Sequence, residues 1–535
     1  MAAPNLSSAH LTLATPSEDS SMTTASSATH HITGPATTLL ALDRLWGALR
    51  PAPDRIPGPS TLSDLALVPV YFGNQLRYLE TLHKTWGDVV HSNIGPHPSL
   101  LIQDTDLIEE FLLKKHDSFH KDMFVKLLDP IVGQGLLTSE GKLWRKQRKL
   151  AAPALQKKQI AAYAETFVSL TAQACEEWTS QGAQTRDVSR DIMALTLKIV
   201  VQTLFGMSLE DGVEEIGQLV DLLMEHLNLE FHSPLLLVPQ SVKTPSRKKF
   251  LKHVARLDDV LRDLIARRRA GAEGDDLLWR FITARDEDGQ PMPDKQLRDE
   301  AITMFLAGHE TTSLAITYAW DLMTRNPDAL NRLVREVDEA LGERAATMED
   351  MGKLPWTKAV VQETLRLHPP AWILGREAIE DVQLGPWHVK AGTQVITSPW
   401  LLHRDARWFK NPLDFMPQRW LGGQLEASLP RYGYMPFGGG PRVCIGNHFA
   451  MMEAMLVIAT MAQRVRLKRV SAAPLQFVTS VTLRPALPVQ FEVSARGGRA
   501  ARLGKPHKPS APHHTGHAIL KDLTPAVRTH TPSAH

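Results

Sequence analysis

Cysteine is scarce: Cys175 and Cys444 are the only two in 535 residues. That excludes a disulfide-stapled secreted scaffold and a multi-cysteine zinc protein, and makes a reducing compartment the default. A dominant charge is missing too. Lys+Arg 60 against Asp+Glu 58 leaves a formal net charge of +2, without the basic excess that a nucleic-acid binder carries on one face. No run approaches the roughly 18 to 20 apolar residues of a spanning helix, and internal repeats are absent. The Ser/Thr/Ala-rich start, Met1 to about Thr38, has neither the basic opening nor the apolar run of a secretory signal. What is present, 43% hydrophobic and 22% charged residues, is an ordinary globular composition.

Two tails bracket a folded centre. The expected division is a mobile N-terminal segment at 1–50, one domain at 51–492, and a disordered basic Pro/His-rich tail at 493–535. The tail's histidines, among them His507, His513 and His514, read as polar tail or as a metal-binding tract. Leu39 to Leu49 has helical apolar spacing and reads as a short amphipathic helix touching either the body of the protein or a membrane.

The centre is mostly helical. Apolar periodicity predicts helices over Leu76–Trp86, Asp106–Lys115, Gly141–Leu150, Lys157–Trp178, Asp187–Leu204, Val213–Leu227, Arg247–Arg269, Lys295–Arg325, Pro327–Leu341 and Pro355–Leu367. An apolar loop, Pro234 to Pro239, interrupts two of them. Val89–Ile94 and Leu100–Gln103 read as a hairpin, and Val382–Val389, Gln394–Thr397 and Leu475–Phe491 as strand-like runs. The fold class is mainly α (α+β), a helical domain with small sheets and no βαβ alternation.

Phe437-Gly438-Gly439-Gly440-Pro441-Arg442-Val443-Cys444-Ile445-Gly446 is the most informative segment. Its glycines let the backbone approach a flat ligand or a sulfur atom. The apolar run from Phe449 to Met455 puts Cys444 near a helix N-terminus, where the dipole and free N–H groups favour a thiolate. The phrase Phe-x-x-Gly-x-Arg-x-Cys-x-Gly resembles the haem-binding loop of the cytochrome P-450 family, the haem-thiolate monooxygenases. The resemblance implies a single triangular haem-thiolate monooxygenase fold, haem b as cofactor, Cys444 as iron ligand, and Phe437, Gly438, Arg442 and Gly446 around the cofactor. Cys175 matches no motif and reads as structural.

Ala307-Gly308-His309-Glu310-Thr311-Thr312 lies inside the predicted Lys295–Arg325 helix, where a glycine and two threonines lower helix propensity. The resemblance supplies a reason. Ala307 and Gly308 match the small residues of the family's oxygen-binding groove, Glu310 its acid and Thr311 its alcohol, the pair that delivers protons. A local helix distortion is expected there. His309 falls at a variable position and points elsewhere.

Glu363 and Arg366 sit at i and i+3 on one helix face among apolar neighbours, so they read as a buried pair needing further partners. The resemblance supplies Arg419, in Phe415-Met416-Pro417-Gln418-Arg419-Trp420. Gln418 and Trp420 depart from the family's usual Pro-Glu-Arg-Phe, and the missing carboxylate is expected to weaken the network. Trp144 and Arg148 match the family's Trp-x-x-x-Arg helix. With Arg376 and Arg442 they are the implied donors to the haem propionates, a task suited to the planar guanidinium fork. Pro153-Ala154-Leu155 departs mildly from the family's Pro-x-Phe. Arg145, Lys146 and Lys149 form a basic strip, either a solvated helix face or a dock for an acidic electron donor.

The resemblance covers roughly Pro57 to Leu487. It implies a bacterial-type soluble monooxygenase, a likeness that sets O₂, a lipophilic small-molecule substrate, and a separate ferredoxin or flavodoxin with its reductase as partners. The expected protein is monomeric and cytoplasmic, with peripheral membrane contact as an option and no nucleic acid. A peroxide-driven peroxygenase or haem isomerase is the alternative enzyme, and a non-catalytic haem binder the alternative outside catalysis. Trp372, Ile373 and Leu374, and residues between Phe119 and Val132, read as distal-pocket lining or as ordinary core. A fatty acid, alkane, terpenoid or carotenoid would suit such a pocket. His368 to Leu374 and Val481-Thr482-Leu483-Arg484-Pro485 resemble bacterial carotene hydroxylases.

Overall fold

The structure is a computed structural model that describes residues 56–497 apart from 95–96, 207–212, 234–237, 239–240, 272–273, 275 and 287–288. The N-terminal segment, the Leu39–Leu49 helix, most of the Pro234–Pro239 loop and nearly all of the C-terminal tail lie outside the described residues.

The chain enters through α1 (Thr61–Gly73) and α2 (Gln75–Trp86). Asn74 starts α2 by accepting the Arg77 N–H at 3.0 Å, and Gly87 at φ 96° stops it, a left-handed position that suits glycine. Strands β1 (Val89–Ser92) and β2 (Ser99–Ile102) form the expected hairpin, and β3 spans Phe119–Lys121. The expected Asp106–Lys115 helix becomes an α segment, Thr105–Glu109, running into a π segment, Glu110–Lys114.

The helical body consists of α3 (Gly141–Ala151), α4 (Ala164–Thr179), α5 (Val188–Phe205, preceded by β4, Gln184–Asp187), α6 (Val213–Phe231), α7 (Pro245–Ala270), α8 (Asp294–Arg325), α9 (Pro327–Leu341) and α10 (Pro355–Leu367). The predicted Lys157–Trp178 helix is broken. A 3₁₀ turn at Ala161–Tyr163 separates Lys157–Ile160 from α4, and it turns Tyr163 onto Phe449, ring centroids 6.1 Å apart.

Helix α8 is 32 residues long and buried almost throughout its middle, which is why its apolar residues are not confined to one face. Its neighbour α5 comes close enough for Thr196 Oγ1 to donate to the His309 carbonyl at 3.0 Å.

The later strands are β5 (Leu374–Ala378), β6 (Val382–Leu384), β7 (Trp387–Val389) and β8 (Gln394–Thr397). Helix α11 (Asn447–Arg464) precedes β9 (Val465–Arg469), β10 (Phe477–Thr479), β11 (Leu483–Pro485) and β12 (Gln490–Ala495). They build a five-stranded sheet ordered β1-β2-β8-β5-β3, a three-stranded sheet β4-β12-β9, and the pairs β6-β7 and β10-β11. Only β2-β8 is parallel among the described pairings of the large sheet. The result matches the expected mainly helical class with small sheets. No described helix is long and apolar enough to cross a membrane.

Candidate functional site

The cysteine loop is held by its own backbone. Cys444 N–H bonds the Phe437 carbonyl at 2.9 Å, and Gly446 caps α11. Gly440, at φ 65°, is required by contact: a Cβ there would stand 1.9 Å from the Leu112 carbonyl oxygen of the π segment. The loop therefore has a fixed seat, and the Cys444 thiol opens into a cavity of about 490 Å³ deep in the protein. Burial pushes the thiol pKa up, against the Gly446 N–H and Arg148, which both favour the thiolate.

Of the sequence-predicted site residues, Trp144, Arg148, Ala307, Gly308, Thr311, Arg376, Phe437, Gly438, Arg442, Cys444 and Gly446 line this one cavity. Glu310 does not. The glycine at 308 answers helix packing as well as room in the cavity, since a Cβ would meet Val200 Cγ2 at 3.0 Å. The expected helix distortion is absent: α8 is α-helical through 307–312, and Thr311 Oγ1 donates to the Ala307 carbonyl at 2.9 Å instead. A threonine hydroxyl satisfied one turn back needs no break in the ladder. His309 is buried, bonds the Phe305 carbonyl through Nδ1 at 2.8 Å, and does not line the cavity.

Glu310 is buried beneath the β10-β11 pair. Thr482 Oγ1 donates to its Oε1 at 2.5 Å and Arg484 Nε to the same atom at 2.6 Å. Burial alone would raise its pKa, but Arg484, Thr482 and His309 outweigh it and hold the carboxyl below the usual range. Neither Thr482 nor Arg484 stood out as its partner in the sequence, because 172 and 174 residues separate them from Glu310.

A cluster of cations surrounds the rest of the cavity. The β3-β5 register sets Lys121 directly opposite Arg376, and both line the cavity. Like charges facing each other across a strand pair are destabilising without an anion between or beside them. Burial, Arg376 and Arg442 push Lys121 well below its ordinary pKa. Arg442 bonds Glu140 and the Ser139 carbonyl, lies 4.1 Å over the Trp144 ring, and leaves Nη1 buried without a hydrogen-bond partner among the described residues. Burial first, with Arg376 and Arg148, brings Arg442 down to about 10 against the pull of Glu140. Sequence reasoning missed Lys121, since a three-residue strand leaves too little alternation to register.

Glu363 and Arg366 are fully buried and form a double ion pair, Nε and Nη2 each 2.8 Å from a carboxylate oxygen. Arg419 Nε, Trp420 Nε1 and Met416 N–H complete Glu363 at 3.1, 2.8 and 2.8 Å. The departure at 418 does not weaken this network, because Gln418 is exposed and takes no part in it.

A helical body with small sheets, a cysteine at a helix N-terminus, a cation-rimmed cavity and a threonine-bearing helix facing it together describe a haem-thiolate oxygenase. The family model for cytochrome P-450 matches residues 57–493, and the chain belongs to that family. It is 34% identical to cyclooctatin synthase of Streptomyces melanosporofaciens over 74% of this chain and 85% of the relative. Pentalenene oxygenase of Streptomyces avermitilis is 28% identical over 83% and 97%, and the chloroplastic protein LUTEIN DEFICIENT 5 of Arabidopsis thaliana 28% over 78% and 74%. The protein is a cytochrome P-450 monooxygenase with haem b as its cofactor, using O₂, a lipophilic substrate and redox partner proteins.

Proposed function

We propose that this chain hydroxylates a C–H bond of a terpenoid or carotenoid, with Cys444 as the iron ligand. The single observation that carries the site assignment is the convergence of Cys444, four cations (Lys121, Arg148, Arg376, Arg442) and Thr311 on one cavity. Haem bound there supplies dioxygen activation at its iron. The unpartnered Arg442 Nη1 and the facing Lys121 and Arg376 suit two propionates, and Trp144 braces Arg442 from below. Gly446 N–H and Arg148 favour the thiolate that such a ligand requires. Thr311 donates to Ala307, so its oxygen keeps lone pairs to accept a proton and pass its own on, with Glu310 as the acid behind it.

Leu79, Ile94, Met123, Phe124, Leu128, Phe231, Met304, Ile373 and Val481 line the cavity with apolar surface, which supports a lipophilic substrate. The relative named pentalenene oxygenase favours the terpenoid side of that range. Electrons come from a separate ferredoxin or flavodoxin system that docks near α3. The basic strip there is thinner than its sequence suggests, because Arg145 pairs with Asp117 and Lys146 with Asp286, each at 2.7 Å.

The reduced protein under carbon monoxide should give the thiolate-type Soret band, and Cys444→Ser should abolish it; an unaltered band in that variant overturns the ligand assignment. A panel of terpenoids and carotenoids screened for the low-to-high spin shift identifies the substrate class. Failure of the whole panel, with a fatty acid or alkane responding, overturns it.

A further inference from the structure

The β10-β11 hairpin touches the cavity and the acid within a few residues. Ser480 and Val481 line the cavity, while Thr482 and Arg484 bond Glu310. The hairpin is otherwise tied down at its far side: Tyr318 O–H donates to the Leu483 carbonyl at 2.5 Å, and Leu483 N–H to the Pro370 carbonyl at 2.9 Å. On the cavity side its anchor is Trp372, itself a lining residue, whose indole N–H donates to the Ser480 carbonyl at 3.0 Å. A molecule that presses on Trp372, Ser480 or Val481 moves the peptide next to Thr482. Arg484 is 31% exposed and is also drawn toward Asp221, so it has somewhere to go when its bond to Glu310 loosens.

The geometry points to this hairpin as a positioning element that reports cavity occupancy to the acid: Thr482 and Arg484 hold Glu310 off the cavity, and a lipophilic molecule against Ser480 and Val481 loosens that hold. Freed from Arg484, the Glu310 carboxylate takes a proton from water on that side, turns toward Thr311 and hands the proton to the threonine oxygen as the hydroxyl releases its own into the cavity, which returns Glu310 to the carboxylate. Electrons are thus spent when a substrate is present to receive the oxygen atom. The inference rests on the proton role of Glu310 proposed above.

The test uses the full-length, haem-loaded chain. Geranylgeraniol is added to wild type until its Soret shift saturates, and backbone hydrogen exchange is read over residues 479–485. Faster exchange at Leu483 is expected; unchanged exchange in the saturated complex overturns the coupling. Without substrate, Thr482→Val should raise the consumption of donor electrons severalfold, with Thr482→Ser restoring the wild-type rate. Arg484→Gln should move the alkaline limb of the pH profile to higher pH, because the Glu310 carboxyl then keeps its proton longer, and Arg484→Lys should move it back. If neither variant changes anything while Glu310→Gln alters the solvent isotope effect, the hairpin coupling falls and the proton role of Glu310 stands. If Glu310→Gln is silent too, that role falls with it.

Discussion

Trp420 donates its indole N–H to the Glu363 carboxylate at 2.8 Å, in a site where Glu363 and Arg366 have no exposure at all. A residue that looked like a departure from the family's pattern is one of the donors that make the buried charge tolerable. Trp420→Phe removes that donor and should cost about 1.5–3 kcal/mol, the range for hydrogen bonds to charged groups. Glu363→Gln leaves Arg366 buried without its countercharge and should cost about 3–5 kcal/mol. Gln418→Glu, at an exposed position, should stay within about 0.5 kcal/mol of wild type. Urea unfolding of the three variants gives the ranking.

Gly308→Ala tests why the cavity helix carries a glycine. The added methyl meets Val200 Cγ2 at 3.0 Å on α5, so overpacking of about 1–3 kcal/mol opposes the roughly 1 kcal/mol that alanine gains over glycine inside a helix. Val200→Ala, costly by itself at a fully buried position, should remove the clash, so the double variant should lose less than the sum of the two single changes. That coupling, measured by thermal unfolding, separates helix packing from a requirement for space in the cavity.

Glu300 is a buried carboxyl whose titration is pushed toward neutrality. Burial, with Asp299, pushes its carboxyl from 4.5 to about 7, against the Leu136 N–H and Gln296 that bond it. The native state therefore holds the proton more tightly than the unfolded chain. The stability this contributes is fully present below pH 4.5 and lost as pH rises through about 7. At about 1.4 kcal/mol per unit the loss is roughly 3 kcal/mol. Glu300→Gln cannot ionise, so it should flatten the stability profile across that window and exceed wild type at pH 8.

The long helices and the cysteine loop were legible in the sequence because their signals are local: apolar period, proline at a first turn, glycines beside a cysteine. What escaped was non-local. Phe119–Lys121 and Leu374–Ala378 are strands because each pairs with the other, and neither pattern says so alone. The hold on Glu310 joins residues far apart in the chain, and the need for glycine at 440 comes from the carbonyl of Leu112. The helix break at Ala161–Tyr163 likewise follows from where Tyr163 finds Phe449.

Lys121 and Arg376 face each other across β3 and β5 with Arg442 near them. Three cations around one cavity, only partly countered by Glu140 and Asp122, work against folding, and are useful once two propionates arrive. Lys121→Met should therefore act in opposite directions in the two forms. The apoprotein should gain stability, since a buried charge facing Arg376 and Arg442 gives way to an apolar side chain of similar size. The haem-loaded protein should lose haem faster. Thermal unfolding of the apoprotein and transfer of haem to apomyoglobin measure the two effects. A variant destabilised in both forms would show that Lys121 serves the sheet rather than the cofactor.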